Sequence, residues 1–589
     1  MEWSFDFSTD ESSTDGSEVN FNIGSQQKPM DVLALDRKAI RSVGASVVSR
    51  GISSRDVLHV ITPFVQHNGG NIEKISLSQS TIQRLKKKSA QAGAAAHREK
   101  VLEAINGTDL PIIGLYDGKT IKEITEGEHL KKERLGILCS IEGEIYLLGI
   151  PAIPSSSGEH QVLALTDMFV QYQMIEKLAA VVVDTTGSNT GPLRGSVARL
   201  ERDLGESLLL LACRRHVNER HIVHFWENVS AYGKTTSPSN PMFVRLLKNW
   251  NNIRLNIDPT KLNRLEIEDG FLKDQAKRAI CFYEKILREN IFERDEYREM
   301  AELGLMILDP TKVLKFYRPC EPNSARFLNS GLNYQKLFLL CTQFPDIISE
   351  DEKDEVQIMS EFTSIFYGHW FLTSALTTQA PVNDITSFWM MKKYAASSSN
   401  PKIRQGALRV MKSIEEHSWY IEEDLLPLSL LDDQLSDIEK ELLARAIKDT
   451  PMPKSFPPRN RNQLPKLRTR ANFDLSFPPS TCEFVGPYCW LIFKKLEQTD
   501  PDSTMWMHMK ANNWHKHLDF QKFKRFAKTL PVVNDGSERS VQLMSEFINN
   551  VHGEEDRQDL VLATSNYRNM LKGKQTKKDL TAVYSKELF

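Results

Sequence analysis

The stretch LAAVVVDTTGSNTG, residues 178–191, decides how this chain is read. Its apolar run is short, β-branched and free of polar alternation, which is the pattern of a strand buried on both faces of a parallel sheet. It ends in Asp184, followed by seven small residues. Three readings of that ending are open. The turn can cradle a phosphate with its backbone, although it lacks the GK[ST] ending of a nucleotide-binding P-loop. Asp184 can bond its own turn as a strand-end residue. Or Asp184 can be a working carboxylate, provided other acids stand beside it.

Working outward, LPIIGLYDGKTI (110–121) predicts a strand, and RLGILCSI and EIYLLGIPAI predict a hairpin around Glu142-Gly143. A helix DMFVQYQMIEKLAA (167–180), the strand containing VVVD, a helix LRGSVARLERDLG (193–205) and a strand LLLLAC (208–213) follow. This order is an α/β pattern. Asp117-Gly118, inside the first of these strands, is also the commonest hairpin-turn dipeptide. From about 216 to 530 the apolar spacing is helical, with no strand series.

The chain's 589 residues suffice for three or four ordinary domains, or for one domain with a large insertion. A net charge of −2 excludes a globally basic protein, so any nucleic-acid surface must be local. No apolar run approaches the roughly 18 residues of a membrane helix. The acidic, serine-rich start does not read as a signal peptide. Seven scattered cysteines without a CxxC pair predict a reducing compartment and no zinc ribbon. Cys213, His216, His221 and His224 are the one set readable as zinc ligands, but no second paired cluster accompanies them.

The expected organisation is a polar tail over 1–30, then a helical segment over 31–107. An α/β core follows over 108–225, an all-helical insertion over 226–529, a final core helix over 530–570, and a basic tail over 571–589. Within the first helical segment, the basic run 84–100 fits either a solvated amphipathic helix or a recognition helix. A basic, proline-rich loop at 448–471 carries Arg459, Arg461, Lys466, Arg468 and Arg470. These basic residues are expected DNA contacts with a steep salt dependence.

Three further motifs accompany the acids: CRRH with Cys213 and His216 after the last strand, NSARFLNSGLNY with Arg326-Phe327, and NDGSERSV with Glu538 opening a helix. The set resembles DDE transposases of the hAT type. The resemblance implies a ribonuclease H-like core of three antiparallel strands and then alternating helix and strand, interrupted by a large all-α insertion. It further implies Asp117, Asp184 and Glu538 as ligands of Mg²⁺ or Mn²⁺, and Cys213 and His216 as a signature string with His216 near the scissile phosphate. Arg326 and Phe327 stand where the family has Arg-Trp, so base stacking is retained with a different ring. The implied chemistry is two-metal phosphoryl transfer on DNA, at transposon ends or derived sites, by a nuclear homo-oligomer with no membrane partner. The family's zinc-binding BED finger has no counterpart here, because no cysteine precedes Cys139. The alternative from a different class is a domesticated protein that keeps the fold as a non-catalytic DNA- or protein-binding scaffold.

Overall fold

The computed structural model describes residues 44, 47, 48, 50–67, 78–125, 128–230, 232, 240–268, 270–319, 328–458, 476–547 and 553–571. The chain forms two compact units, 1–99 with 546–589, and 100–545. The expected final core helix over 530–570 is therefore two helices, divided between the units.

In the first unit, α1 (Ser54–His67), the N-terminal part of α2 (Gln79–Gly107) and α16 (Glu554–Leu571) are the described helices. Tyr567 donates its hydroxyl to Ser89 O at 3.0 Å, and Arg98 pairs with Asp559 at 2.8 Å.

The second unit is built on one mixed sheet of β1 (Ile112–Thr125), β2 (Glu128–Ile141), β3 (Glu144–Gly149), β4 (Ala152–Ile153), β5 (Leu178–Val183) and β6 (Leu209–Ala212). Its order is β3-β2-β1-β5-β6, with the two-residue β4 pairing β2. Strands β1 to β3 run antiparallel, while β5 is parallel to both β1 and β6. All six residues of β5 are buried, as expected for a parallel strand covered on both faces. The turn between β2 and β3 is Glu142 (φ 50°) and Gly143 (φ 87°). Two successive positive φ values make a type I′ turn, whose twist matches the strands it joins.

Helices α3 (Gly158–Gln171) and α4 (Ser196–Leu204) cover one face. The helix expected over 167–180 actually starts nine residues earlier, because Ser157 Oγ caps it by accepting from His160 N. It ends before Gln173, which has a φ of 54°, and Leu178-Ala179-Ala180 belong to β5. The core between this face and the helices holds Tyr116, Phe169, Val181 and Leu200, all essentially without exposure.

Between Arg214 and Leu530 the described residues hold no strand. Their longer helices are α5 (Arg214–Val229), α6 (Pro241–Asn256), α7 (Phe271–Glu289), α8 (Asp295–Leu308), α9 (Asn329–Leu340), α10 (Glu350–Phe362), α11 (Ala380–Ser397), α12 (Pro401–Glu416), α13 (Asp437–Asp449) and α14 (Leu518–Thr529). Both α6 and α12 begin at an Asn-Pro pair. Asn240 and Asn400 accept from the second helical N–H, at 2.9 Å in each case, and proline takes the first position, where no N–H is needed. Trp506 and Trp514 pack ring to ring at 5.2 Å, fully buried, as core residues. The chain returns to the sheet as α15 (Asp535–Phe547).

Candidate functional site

The strand registers bring the first two acids into line. Leu115 pairs with Val182 across the parallel β1–β5 ladder, and Val183 pairs with Ala212 across β5–β6. Continuing both registers sets Asp117 beside Asp184, and Asp184 beside Cys213, one residue past the last ladder pair of β5. Neighbouring strands lie about 4.8 Å apart, so the two aspartates occupy adjacent positions at the carboxyl end of the parallel pair. Ligand sites of open α/β sheets concentrate at such ends. Asp117-Gly118 is not a turn. It lies within β1, paired with Gly136 and Leu135 of β2, because hydrogen bonding along two 14-residue strands outweighs the local preference of the dipeptide.

Asp184 does bond its own turn. Its Oδ1 accepts from Thr186 N at 3.1 Å, from Thr186 Oγ1 at 2.7 Å and from Asn189 Nδ2. All three donors converge on one oxygen, and no bond to Oδ2 is made among the described residues. The strand-end reading and the working-carboxylate reading are thus compatible, since the turn orients the side chain through one oxygen only. Asn189 also accepts from Ser196 Oγ, which hydrogen-bonds Tyr116, so the orientation is anchored in the core. TTGSNTG folds into a single helical turn, Gly187–Thr190, leading towards α4.

The C-terminal motif reaches the same sheet end through three bonds, and a fourth braces the motif internally. Val532 O accepts from Arg214 N at 2.9 Å, and Asn534 N donates to Cys213 Sγ at 3.2 Å. Asn534 Nδ2 donates to Tyr116 O at 2.7 Å, and Ser537 Oγ donates to Asn534 Oδ1 at 2.7 Å. The first turn of α15 then rests on Gly136, where an added Cβ would stand 2.9 Å from both Ser537 O and Val541 Cγ2. Gly136 pairs with Asp117, and cross-strand partners share a face. Asp117 therefore lies on the face covered by α15, opposite the face where Tyr116 meets α4. Gly136→Ala should force this contact apart, costing about 1–3 kcal/mol in the manner of an overpacked core position. A lower urea midpoint for this variant than for Gly118→Ala, whose nearest neighbour is 3.8 Å away, would verify it.

Glu538 is the fourth residue of α15; its side chain lies outside the described residues. Arg326, Phe327, Arg459, Arg461, Lys466, Arg468 and Arg470 also lie outside them. Among the described residues no group of three His, Cys, Asp or Glu side chains is placed to hold a metal ion. That set excludes Glu538 but covers the readable zinc ligands. Cys213 is buried as the acceptor for Asn534, and burial pushes its thiol up to about 12, so it stays protonated and is no nucleophile. His221 bonds Ser413 at 3.0 Å, and His224 bonds Arg220 and Glu227. His216 sits in the first turn of α5, half-buried.

Two residues of the CRRH string carry more of the architecture than the Cys and His that drew attention in the sequence. Arg214 pairs with Asp384 of α11 at 2.8 Å and lies 5.0 Å from the Tyr420 ring. Arg215, 4% exposed at its side chain, pairs with Asp535 at the start of α15 and with Glu293 just before α8. Asp535, the first residue of α15, is thus the partner of a buried arginine. Consecutive arginines directly after a buried strand were the available signal, because a buried cation requires an anion elsewhere in the chain.

No protein-family model matches the chain. No curated protein shows significant sequence similarity to it.

Proposed function

We propose that residues 100–545 form a ribonuclease H-like domain of the hAT transposase type, and that it cleaves DNA strands with Mg²⁺ or Mn²⁺ held by Asp117, Asp184 and Glu538. The supporting observation is the shared register of Asp117 and Asp184, at the sheet end to which Asn534 ties the Glu538 turn. The strand order also supports it. With the two-residue β4 set aside, three antiparallel strands are followed by two parallel ones on the β1 side. Two carboxylates at adjacent register positions repel each other unless a cation or proton neutralises them. Hard oxygen donors suit these two ions, and Asp184 keeps Oδ2 for a ligand while its turn holds Oδ1.

The bound cation would supply Lewis-acid activation of the attacking oxygen and neutralisation of the leaving one. The chain's own residues do the positioning. Thr186 and Asn189 hold the Asp184 carboxylate, and Asn534 and Ser537 hold the turn that precedes Glu538. His216, in the first turn of α5, would approach the scissile phosphate. DNA is then the partner and the nucleus the place of action, with a homo-oligomer as the working assembly. The non-catalytic scaffold is the second reading, favoured by the use of Asp184 Oδ1 within its own turn.

Titration calorimetry with Mn²⁺ separates the two. The catalytic reading expects saturable binding by the full chain that is lost in Asp117→Asn. Equal heats from both proteins would leave the scaffold.

A further inference from the structure

Between Lys510 and Lys528 six lysines and arginines accompany one acid, Asp519, in a chain whose net charge is −2. Helix α14 sorts this composition onto two faces. Phe520, Phe523, Phe526 and Ala527 are buried. Their side packs on an aromatic cluster, with Phe520 5.0 Å from Trp506 and Phe523 5.2 Å from Phe493 between ring centroids. The remaining face carries Lys522, half-buried, and Lys524, Arg525 and Lys528, all exposed.

Arg525 pairs with Asp109, but the three lysines make no ion pair or hydrogen bond with another described residue. Like charges three or four residues apart on a helix repel each other, as Lys524 and Lys528 do, and Lys522 and Arg525. The helix dipole favours a cation only in the last turn, which accounts for Lys528 alone. An outside anion is what this face lacks. Trp514, Phe520, Phe523 and Phe526 are all buried, so no phenyl or indole ring is open to stack an unpaired base. Leu518 is the one exposed apolar side chain of α14, so no apolar face is left to enter a lipid surface. A duplex backbone needs neither. Lys522, Arg525 and Lys528 form a row roughly 9 Å long at about 1.5 Å per residue, enough to meet two or three neighbouring phosphates.

We infer that the outer face of α14 binds the phosphate backbone of duplex DNA, resting on the proposed function only for the choice of DNA over RNA. The contact is independent of sequence, because phosphates position a duplex without reading its bases. The helix is presented ready-made, since its inner face is fixed on the aromatic cluster. None of its cations belongs to the carboxylate site.

The test is fluorescence anisotropy of the full chain on labelled duplex DNA in EDTA, at KCl concentrations from about 50 to 300 mM. The wild type is expected to bind, with affinity falling steeply as salt rises. Replacing Lys522, Lys524 and Lys528 together by Gln keeps helix propensity. It should lower the slope of log K against log salt by about 2–3, at about 0.9 per phosphate contact. Lys524→Gln with Lys528→Gln, both at exposed positions, should lower it by about 2 and decides if the triple variant does not fold. Lys353, Lys402 and Lys412, each already paired with an acid, serve as the control. Replacing these three by Gln changes the net charge equally and should leave the slope unchanged. The inference is overturned if the wild type does not bind the duplex, if the α14 variants keep its slope, or if the control lowers it as much. Tighter binding of duplex RNA, or of a single strand, would overturn the assignment to duplex DNA. Wild-type cleavage with Mn²⁺ alongside an unchanged slope in the α14 variants refutes this surface alone. Binding that depends on α14, without cleavage by the wild type, refutes the catalytic reading alone.

Discussion

Glu538→Gln is expected to leave the protein folded and, under the proposed function, to lower Mn²⁺-dependent DNA cleavage by several orders of magnitude. Glutamine keeps the size and helix propensity of glutamate and removes only the charge. The backbone already places this residue well: the first turn of α15 sits against Gly136, whose cross-strand partner is Asp117. Two aspartates alone leave a two-cation site short of anionic ligands, and the backbone turn held by Asn534 is the one that carries Glu538. Were Glu538 merely a first-turn acid on the helix dipole, it would contribute about 0.3–1 kcal/mol and its replacement would barely register. Single-turnover cleavage of labelled DNA with Mn²⁺, alongside circular dichroism, distinguishes these outcomes. Wild-type cleavage by Glu538→Gln, with Asp117→Asn inactive, would move the third ligand elsewhere.

Arg215→Met should be the most damaging substitution for stability at the site, at about 3 kcal/mol. Breaking a buried ion pair from one side costs about 3–5 kcal/mol, because the remaining charge is left without compensation. The lower end applies here. Glu293 is 58% exposed at its side chain and can return to water, whereas Asp535 is only 16% exposed and cannot. The Arg215 guanidinium also packs 4.8 Å from the Tyr297 ring, a contact the methionine thioether retains in part. Adding Asp535→Asn to Arg215→Met should recover some of the loss, since the orphaned charge is gone. Urea midpoints of the wild type, the two single variants and the double variant give the coupling directly. Additive losses would show that Asp535 does not depend on Arg215.

The parts of the fold legible in the sequence were those fixed locally. The buried run of β5 announced a parallel strand, and Glu142-Gly143 announced the β2–β3 turn, since only residues tolerant of positive φ serve there. The absence of strands across the described insertion followed from helical spacing. Long-range partners were less legible. Asp117-Gly118 carries a turn signal that the β1–β2 ladder overrides, and nothing near it in sequence reports that ladder. Asn534 looks like any polar residue before a helix, yet it links Tyr116, Cys213 and Ser537. Arg214 and Arg215 were visible as charges, but their anions lie 170 and 320 residues away. Asp184 was legible where its readings are local, in the strand that ends in it and the turn that it bonds, whereas the acid beside it depends on the β1–β5 register.

The central claim, that the aligned aspartates serve cation-dependent strand cleavage, is tested most directly by incubating labelled duplex and single-stranded DNA with Mn²⁺ and either wild type or Asp184→Asn. Asparagine can still accept the hydrogen bonds of Thr186 through its carbonyl oxygen, so the turn survives while the charge is lost. The account predicts cleavage by the wild type and none above background by Asp184→Asn at equal folded concentration. Equal cleavage by the two proteins, or none by the wild type with either Mn²⁺ or Mg²⁺, would contradict it.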